Sequence, residues 1–120
     1  MIDHIGIRTK RLAALTTFYE KALAPLGYSK LATYDGGAGF GANGAPQLWL
    51  AASSEAPSSM HIAVSADTKK SVDQFYAAAL AAGAKDNGQP GLRPEYSATY
   101  YAAFVIDPDG NNLEAVFHQA

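Results

Sequence analysis

The sequence predicts an α+β fold in which two βαβββ modules follow each other along the chain. The main observation is an internal repeat, because the segment HIGI at His4–Ile7 returns 57 residues later as HIAV at His61–Val64. At the same offset, the aromatic pair FY at 18–19 corresponds to FY at 75–76. Each copy therefore combines a short β run with an aromatic pair on an amphipathic helix.

The first module is predicted to cover residues 1–51. Apolar residues between Leu12 and Leu26 form one stripe of a helix, and Gly27 is a suitable residue to end it. Turn residues and alternating apolar residues then predict three strands. These strands are expected near Tyr28–Tyr34, Ala38–Gly41 and Gln47–Ala51.

The second module is predicted to cover residues 60–120, after a linker at 52–59 that is rich in Ser, Ala and Pro. Asp67 or Thr68 is the candidate N-cap of its helix, and Gly83 is the candidate end. Its strands are expected near Ala84–Asn87, Thr99–Asp107 and Asn111–His118. The segment Gln89–Ala98 has no counterpart in the first module, so we expect it to be a ligand-contacting loop.

Composition narrows the class of protein. A chain of 120 residues suits a single domain, and 48% apolar with 17% charged residues is typical of a soluble globular protein. No apolar run approaches the roughly 20 residues that span a bilayer, and MIDHIGI lacks the pattern of a signal peptide, so a cytoplasmic location is expected. The absence of cysteine excludes disulfides and thiolate sites. The net charge of −2 predicts neither a nucleic-acid nor a membrane partner.

Strand alternation places three side chains that can ligate a metal on equivalent faces of their strands. His4 and His61 lie opposite the branched residues that should pack under the helices, and each is followed two positions later by a very small residue. Glu114 lies in an otherwise apolar final strand, where its carboxylate either faces water or has a functional role. If the modules pack with pseudo-twofold symmetry, the three side chains converge on one cup. Two imidazoles and a carboxylate form a facial-triad site for a divalent metal.

The residues HIGI with FYEKAL, HIAV with FYAAAL, and the tail DPDGNNLEAV together resemble the vicinal-oxygen-chelate superfamily. Its members include glyoxalase I, bleomycin-resistance proteins and extradiol dioxygenases. The resemblance covers essentially the whole chain, and DPDGNNLE is its most specific part. It implies an incomplete barrel of paired modules around a metal or ligand cup, in a chain that is commonly a homodimer and sometimes shares the cup between two copies.

The resemblance also implies metal-ligand positions on the first and last strand of each module. These positions correspond to His4, His61 and Glu114, and in the first module's last strand to Trp49 or Gln47. The metal would be Zn, Fe, Mn or Ni. Trp49 cannot ligate a metal, and it stands where glyoxalase I has a second carboxylate that acts as a base. These residues therefore do not favour glyoxalase I activity.

Further candidates surround the predicted cup. Glu114 and Tyr100 are the candidate catalytic residues, since one tyrosine of the cluster near the inserted loop is expected to reach the cup. Trp49, Arg93 and Tyr96 are candidate substrate-binding residues. Arg93 could clamp a carboxylate or phosphate, or be an ordinary surface arginine. Trp49 could stack on a ligand, but filling or forming the cup wall is favoured.

Three functions remain open from the sequence. The leading interpretation is a metal-dependent enzyme that acts on a small oxygen-bearing substrate through His4, His61 and Glu114. The alternative is a metal-free protein that sequesters a small aromatic or drug-like ligand, which Trp49 in a ligand position would suit. The third is a dimeric scaffold in which the three residues lie too far apart to share an ion.

Overall fold

The computed structural model describes residues 1–119 and contains the βαβββ order twice. The first module consists of β1 (Ile5–Thr9), α1 (Leu12–Leu23), β2 (Ser29–Tyr34), β3 (Gly37–Ala42) and β4 (Ala45–Ala52). The second consists of β5 (His61–Ser65), α2 (Lys69–Ala81), β6 (Lys85–Leu92), β7 (Tyr100–Ile106) and β8 (Asn112–His118). They form two four-stranded sheets, ordered β1-β4-β3-β2 and β5-β8-β7-β6, which do not close into a barrel. The predicted fold class is confirmed.

Strand pairing reproduces the internal repeat in three dimensions. In the first sheet β1 runs parallel to β4 with Gly6 opposite Trp49, and in the second β5 runs parallel to β8 with Ala63 opposite Glu114. Because side chains on paired residues share a face, Trp49 and Glu114 occupy equivalent positions in the two sheets. The correspondence inferred from the sequence is therefore correct at the level of individual residues.

The helix ends follow from local chemistry. Pro25 lacks an N–H group, so α1 changes into a 3-10 turn at Ala24–Leu26, and Gly27 ends the turn in the left-handed region at φ 85°. Thr68 is the N-cap of α2, where its hydroxyl accepts from the Ser71 backbone N–H at 3.0 Å and Ser71 reciprocates as in a capping box. Neither helix within residues 1–119 has the length and apolar character needed to cross a lipid bilayer.

The prediction of a loop over Gln89–Ala98 is wrong in its first part, because β6 extends to Leu92. This segment contains Gly and Pro, which read as loop residues in the sequence. In the structure the glycines lie where the pairing of β6 with β7 shifts register, so an irregular edge strand accommodates them. The first strand begins one residue later than the HIGI segment, so His4 immediately precedes β1.

The core lies between the helices and the inner faces of both sheets. Ile7 and Leu50 of the first sheet, and Ile62 and Leu113 of the second, are all buried there, as strand alternation predicts. The largest buried side chains come from the helices and β3, namely Tyr19, Phe18, Phe40 and Phe75. The helices α1 and α2 also contact each other, so the modules are joined through their helical layer.

A buried carboxylate adds a polar link between the modules. Asp107, 3% exposed, begins the turn between β7 and β8, and its Oδ2 accepts hydrogen bonds from the Tyr19 hydroxyl at 2.5 Å and the Asn111 side-chain amide at 2.8 Å. Its Oδ1 accepts from the backbone N–H groups of Asp109 and Asn111. A carboxylate with four donors tolerates burial, and one of these donors belongs to α1.

We expect Tyr19→Phe to lower the free energy of unfolding by about 1–3 kcal/mol, because it removes a hydrogen bond to a buried charge. Urea unfolding measures the change, and Tyr34→Phe is the control, since Tyr34 is 53% exposed. Burial and then the charge of Asp107 raise the pKa of Tyr19 well above its ordinary value.

The unfolded chain loses this proton near pH 10 while the folded chain keeps it. The contribution of Tyr19 is thus complete below pH 10 and declines as the pH rises further. The stability difference between wild type and Tyr19→Phe should therefore shrink above about pH 10. A difference that stays constant up to pH 11 would contradict this assignment.

Candidate functional site

The face of the second sheet that points away from α2 carries the candidate site, and we call it the open face. Strand alternation brings His61 of β5, Tyr100 and Phe104 of β7, and Glu114 of β8 onto this face. Phe104 is directly opposite Glu114 in the β7–β8 pair. The face therefore combines three aromatic or imidazole rings with one carboxylate.

Glu114 is the most unusual residue of the open face, because its side chain is only 2% exposed. Its Oε1 lies 3.0 Å from His61 Nε2, and its Oε2 accepts a hydrogen bond from the Tyr100 hydroxyl. A buried carboxylate without partners would be strongly unfavourable, so both neighbours stabilise it. Of the two readings that the sequence allowed for Glu114, the structure excludes a freely solvated carboxylate.

The orientation of His61 follows from its two polar contacts. Its Nδ1 lies 3.2 Å from the backbone carbonyl of Asn112, which can only accept, so Nδ1 carries a proton. Nε2 then faces the carboxylate of Glu114, with 3.0 Å between Nε2 and Oε1. The ring is also stacked on Phe104 at 6.3 Å between centroids. His61 and Glu114 thus form an adjacent imidazole–carboxylate pair.

Tyr100 supplies a fixed donor to this pair. Burial raises the pKa of its hydroxyl to about 12, and the hydrogen bond to Glu114 and the negative charge of Glu114 act in the same direction. The hydroxyl is therefore protonated at neutral pH. Edge-to-face contacts with Tyr96 and His118, at 5.1 and 5.2 Å between centroids, hold the ring in place.

A cavity of about 240 Å³ opens beside this group, and we call it the Arg93 cavity. Phe104 and Asn112, which contact His61, line it together with Arg93 and Tyr96. The guanidinium carbon of Arg93 lies 5.4 Å from the centre of the Phe104 ring. Arg93 and Tyr96 are thus adjacent to the open face, whereas Tyr101 points elsewhere and donates to Asp73.

His4 lies in a different place. Its side chain is 56% exposed, and its Nδ1 is 2.6 Å from Asp3 Oδ1. With Gln47 it lines a second cavity of about 240 Å³, whose lining includes neither His61 nor Glu114. Most of the remaining wall is apolar and comes from both modules, at Ile2, Ile5, Leu23, Phe40, Leu48, Ile62 and Val64.

One chain therefore does not assemble the predicted set of three metal ligands. Across residues 1–119, no three side chains of His, Asp or Glu are grouped so that they could hold a metal ion. The physical reason is that the modules join through their helices, so the equivalent faces of the two sheets do not converge. His61 and Glu114 provide two adjacent donors, and within one chain the set stays incomplete.

Trp49 occupies the position in the first sheet that corresponds to Glu114, and it packs on its own sheet. A Cβ atom on Gly39 would lie 2.8 Å from the Trp49 ring, so the glycine leaves the space that the indole fills. Tyr34 contacts the same ring at 6.0 Å between centroids. Trp49 lines neither of the two cavities, which agrees with a packing role.

Sequence reasoning missed Phe104 and Asn112 as parts of the site. The signal for Phe104 was present in the segment YYAAFVI, because alternation from Tyr100 places Phe104 on the same face. Asn112 contacts His61 Nδ1 through its backbone carbonyl, and the identity of its side chain gives no sign of such a contact.

Two βαβββ modules with a buried acidic residue on the last strand define a recognisable class of protein. The chain matches the family described as the Glyoxalase/Bleomycin resistance protein/Dioxygenase superfamily over residues 1–115. This protein therefore belongs to that superfamily, as the sequence resemblance predicted. The comparison with curated proteins gives no match.

Solved structures share the fold at low sequence identity. A glyoxalase/bleomycin resistance protein from Albidiferax ferrireducens T118 is 21% identical, with a TM-score of 0.82 and 95% of each chain covered. A glyoxalase/bleomycin resistance protein/dioxygenase family enzyme from Burkholderia phytofirmans PsJN is 20% identical, with a TM-score of 0.72 and 96% of each chain covered. A glyoxalase-related enzyme from Fulvimarina pelagi has a TM-score of 0.75 at 19% identity, with 98% of this chain and 88% of that chain covered.

The contact between Tyr100 and Glu114 predicts a specific titration change. Glu114→Gln removes a negative charge beside the hydroxyl, so the pKa of Tyr100 should fall from about 12 towards the ordinary value near 10. Tyr101 provides the matched control, because its hydrogen bond to Asp73 raises its pKa to about 12 as well.

The measurement is a pH titration of the tyrosine ¹³Cζ resonances by NMR. Asp73→Asn should lower the pKa of Tyr101 and leave Tyr100 unchanged, and Glu114→Gln should do the reverse. Equal effects of both variants on Tyr100 would refute the assignment.

Proposed function

We propose that this protein is an enzyme that moves a proton on a small organic substrate bound at the open face. The contact at 3.0 Å between Glu114 Oε1 and His61 Nε2 carries the proposal. A substrate in the Arg93 cavity would lie beside this pair, because Phe104 and Asn112 line the cavity and also contact His61. Glu114 and His61 are the proposed acid–base groups, as general acid–base catalysis requires a protonatable group next to the substrate.

The roles of the three polar residues differ. His61 is the more accessible member of the pair, since its side chain is 53% exposed, whereas Glu114 is buried. His61 is therefore the group that exchanges the proton with substrate, and Glu114 stabilises the charge that remains on the ring. Tyr100, held protonated, orients the Glu114 carboxylate by its hydrogen bond.

A divalent metal at the same place is the second candidate, and one observation favours it. Histidines that ligate metals commonly donate the other ring N–H to a carbonyl, and His61 Nδ1 makes such a contact with Asn112. His61 and Glu114 would hold Zn, Fe, Mn or Ni and make it a Lewis acid towards the substrate. Completing three ligands would require another copy of the chain, with His4 as the proposed third ligand in a homodimer.

The third possibility is a metal-free protein that sequesters a small aromatic molecule without converting it. The rings of Phe104 and Tyr96, which line the Arg93 cavity, suit such a ligand. Binding without turnover would identify this function. The cytoplasmic location expected from the sequence stays a prediction.

Proton transfer can be tested before the natural substrate is identified. The wild-type protein is incubated in D₂O with a panel of small α-hydroxy and α-keto acids, and ¹H NMR follows deuterium incorporation at the acidic carbon. We expect His61→Ala and Glu114→Gln to lower the exchange rate by about 100-fold or more. Glu20→Gln is the matched control, because Glu20 is a surface carboxylate whose nearest cation is Lys30.

Exchange that is equally fast in wild type, His61→Ala and Glu114→Gln would refute acid–base catalysis by this pair. Binding of panel members without any exchange would favour the sequestering function instead.

Metal binding is tested separately with Zn²⁺, Mn²⁺, Fe²⁺ and Ni²⁺ by equilibrium dialysis and elemental analysis. If the second candidate is correct, both His4→Ala and His61→Ala should lose the bound metal, and light scattering should detect a dimer. Stoichiometric metal that persists in His61→Ala would exclude this site.

A further inference from the structure

We propose that the ligand of the open face carries a carboxylate, which Arg93 binds in the Arg93 cavity, next to a planar body that lies against Phe104. This inference rests on the proposed function, because it names the class of molecule that occupies that site.

Arg93 lacks an acidic partner within the described residues. Arg8 and Arg11 each have a carboxylate oxygen within 4 Å, whereas the ion pairs found across residues 1–119 include none with Arg93. Its guanidinium instead donates to backbone carbonyls, the shorter contact being 2.6 Å from Nη2 to Gln89. A partly buried guanidinium without a counter-charge is well suited to receive an anionic ligand.

Two glycines of β6 support the Arg93 side chain. A Cβ atom on Gly88 would lie 3.2 Å from Arg93 Nη2, and a Cβ atom on Gly91 would lie 3.1 Å from Nη1. The guanidinium therefore packs closely against two positions that carry no side chain, and it lies over the Phe104 ring at 5.4 Å. Such support fixes a long side chain before a ligand binds, which lowers the entropic cost of binding.

The guanidinium keeps donors available for a ligand. Arginine has five N–H donors in one plane, and the two backbone contacts, to Gln89 and Leu92, use one on each terminal nitrogen. The remaining donors include Nε–H. A planar carboxylate matches a planar guanidinium with two parallel hydrogen bonds, so this pairing is geometrically the most favourable.

The surroundings favour a carboxylate over a phosphate. Glu95 lines the same cavity, and the Glu114–His61 pair lies beyond Phe104. A dianionic phosphate would experience more repulsion from these carboxylates than a monoanion would. The cavity of about 240 Å³ also limits the ligand to a small molecule.

The planar body follows from the position of Phe104. Both the Arg93 guanidinium, at 5.4 Å, and the His61 ring, at 6.3 Å, contact this one ring. A ligand whose carboxylate binds Arg93 and whose body covers Phe104 therefore extends towards the His61–Glu114 pair. We infer a small aromatic or conjugated carboxylate.

The test uses three probes of similar shape, namely benzoate, benzamide and phenylphosphonate. NMR titrations follow the Phe104 ring resonances in the wild type and in Arg93→Gln, and the Arg93 ¹⁵Nε–H resonance in the wild type. Benzoate should shift both signals, and Arg93→Gln should weaken its binding by roughly 10- to 100-fold while benzamide binding is unchanged. Arg8→Gln is the matched control for net charge and should bind benzoate like the wild type.

A second variant keeps the charge and changes only its position. Gly91→Ala places a methyl group 3.1 Å from Arg93 Nη1 without a positive φ angle, so the guanidinium should shift by a few tenths of an ångström and benzoate binding should weaken. Gly6→Ala is its control, because a Cβ atom there meets nothing within 4 Å. Circular dichroism confirms that each variant is folded.

The outcomes separate this inference from the proposed function. Equal benzoate binding by wild type and Arg93→Gln would overturn the inference. If Glu114→Gln still abolishes deuterium exchange in that case, the proposed function stands without it. Phenylphosphonate binding more tightly than benzoate, or no shift of either signal by any probe, would also overturn the carboxylate assignment.

Discussion

The arrangement of the site depends on the hydrogen bonds that the buried Asp107 carboxylate accepts. Its four hydrogen bonds fix the turn that precedes β8 and attach this turn to Tyr19 of α1. Because β8 begins at the end of this turn, the position of Glu114 relative to the rest of the molecule is set by a contact between the modules. The DPDG segment therefore connects the two modules as well as forming a turn.

The two modules share a backbone pattern but carry different side chains at equivalent positions. The pairs Gly6–Trp49 and Ala63–Glu114 occupy the same register positions. In the first sheet the indole fills the space over Gly39, whereas in the second a carboxylate is buried beneath two polar partners. The equivalent position is thus occupied by a packing side chain in the first sheet and by a buried carboxylate in the second.

The second site combines groups of three kinds within a short span. The His61 imidazole lies 3.0 Å from the Glu114 carboxylate, the Tyr100 hydroxyl keeps its proton, and Arg93 offers a permanent positive charge. Phe104 contacts both His61 and Arg93, so one aromatic ring connects the acid–base pair to the cationic end. This combination is the basis of the proposal that the protein acts on a small anionic molecule.

Much of this structure could be predicted from the sequence, because it depends on local spacing. Periodicity and end residues determined the βαβββ order, the ends of both helices and the faces on which His61 and Glu114 lie. Only the tertiary structure decided whether those faces meet. The modules pack through their helices, so His4 is separated from the other two residues. It also decided the position of Arg93, because Gly88 and Gly91, against which its guanidinium packs, lie in a strand that extends into the predicted loop.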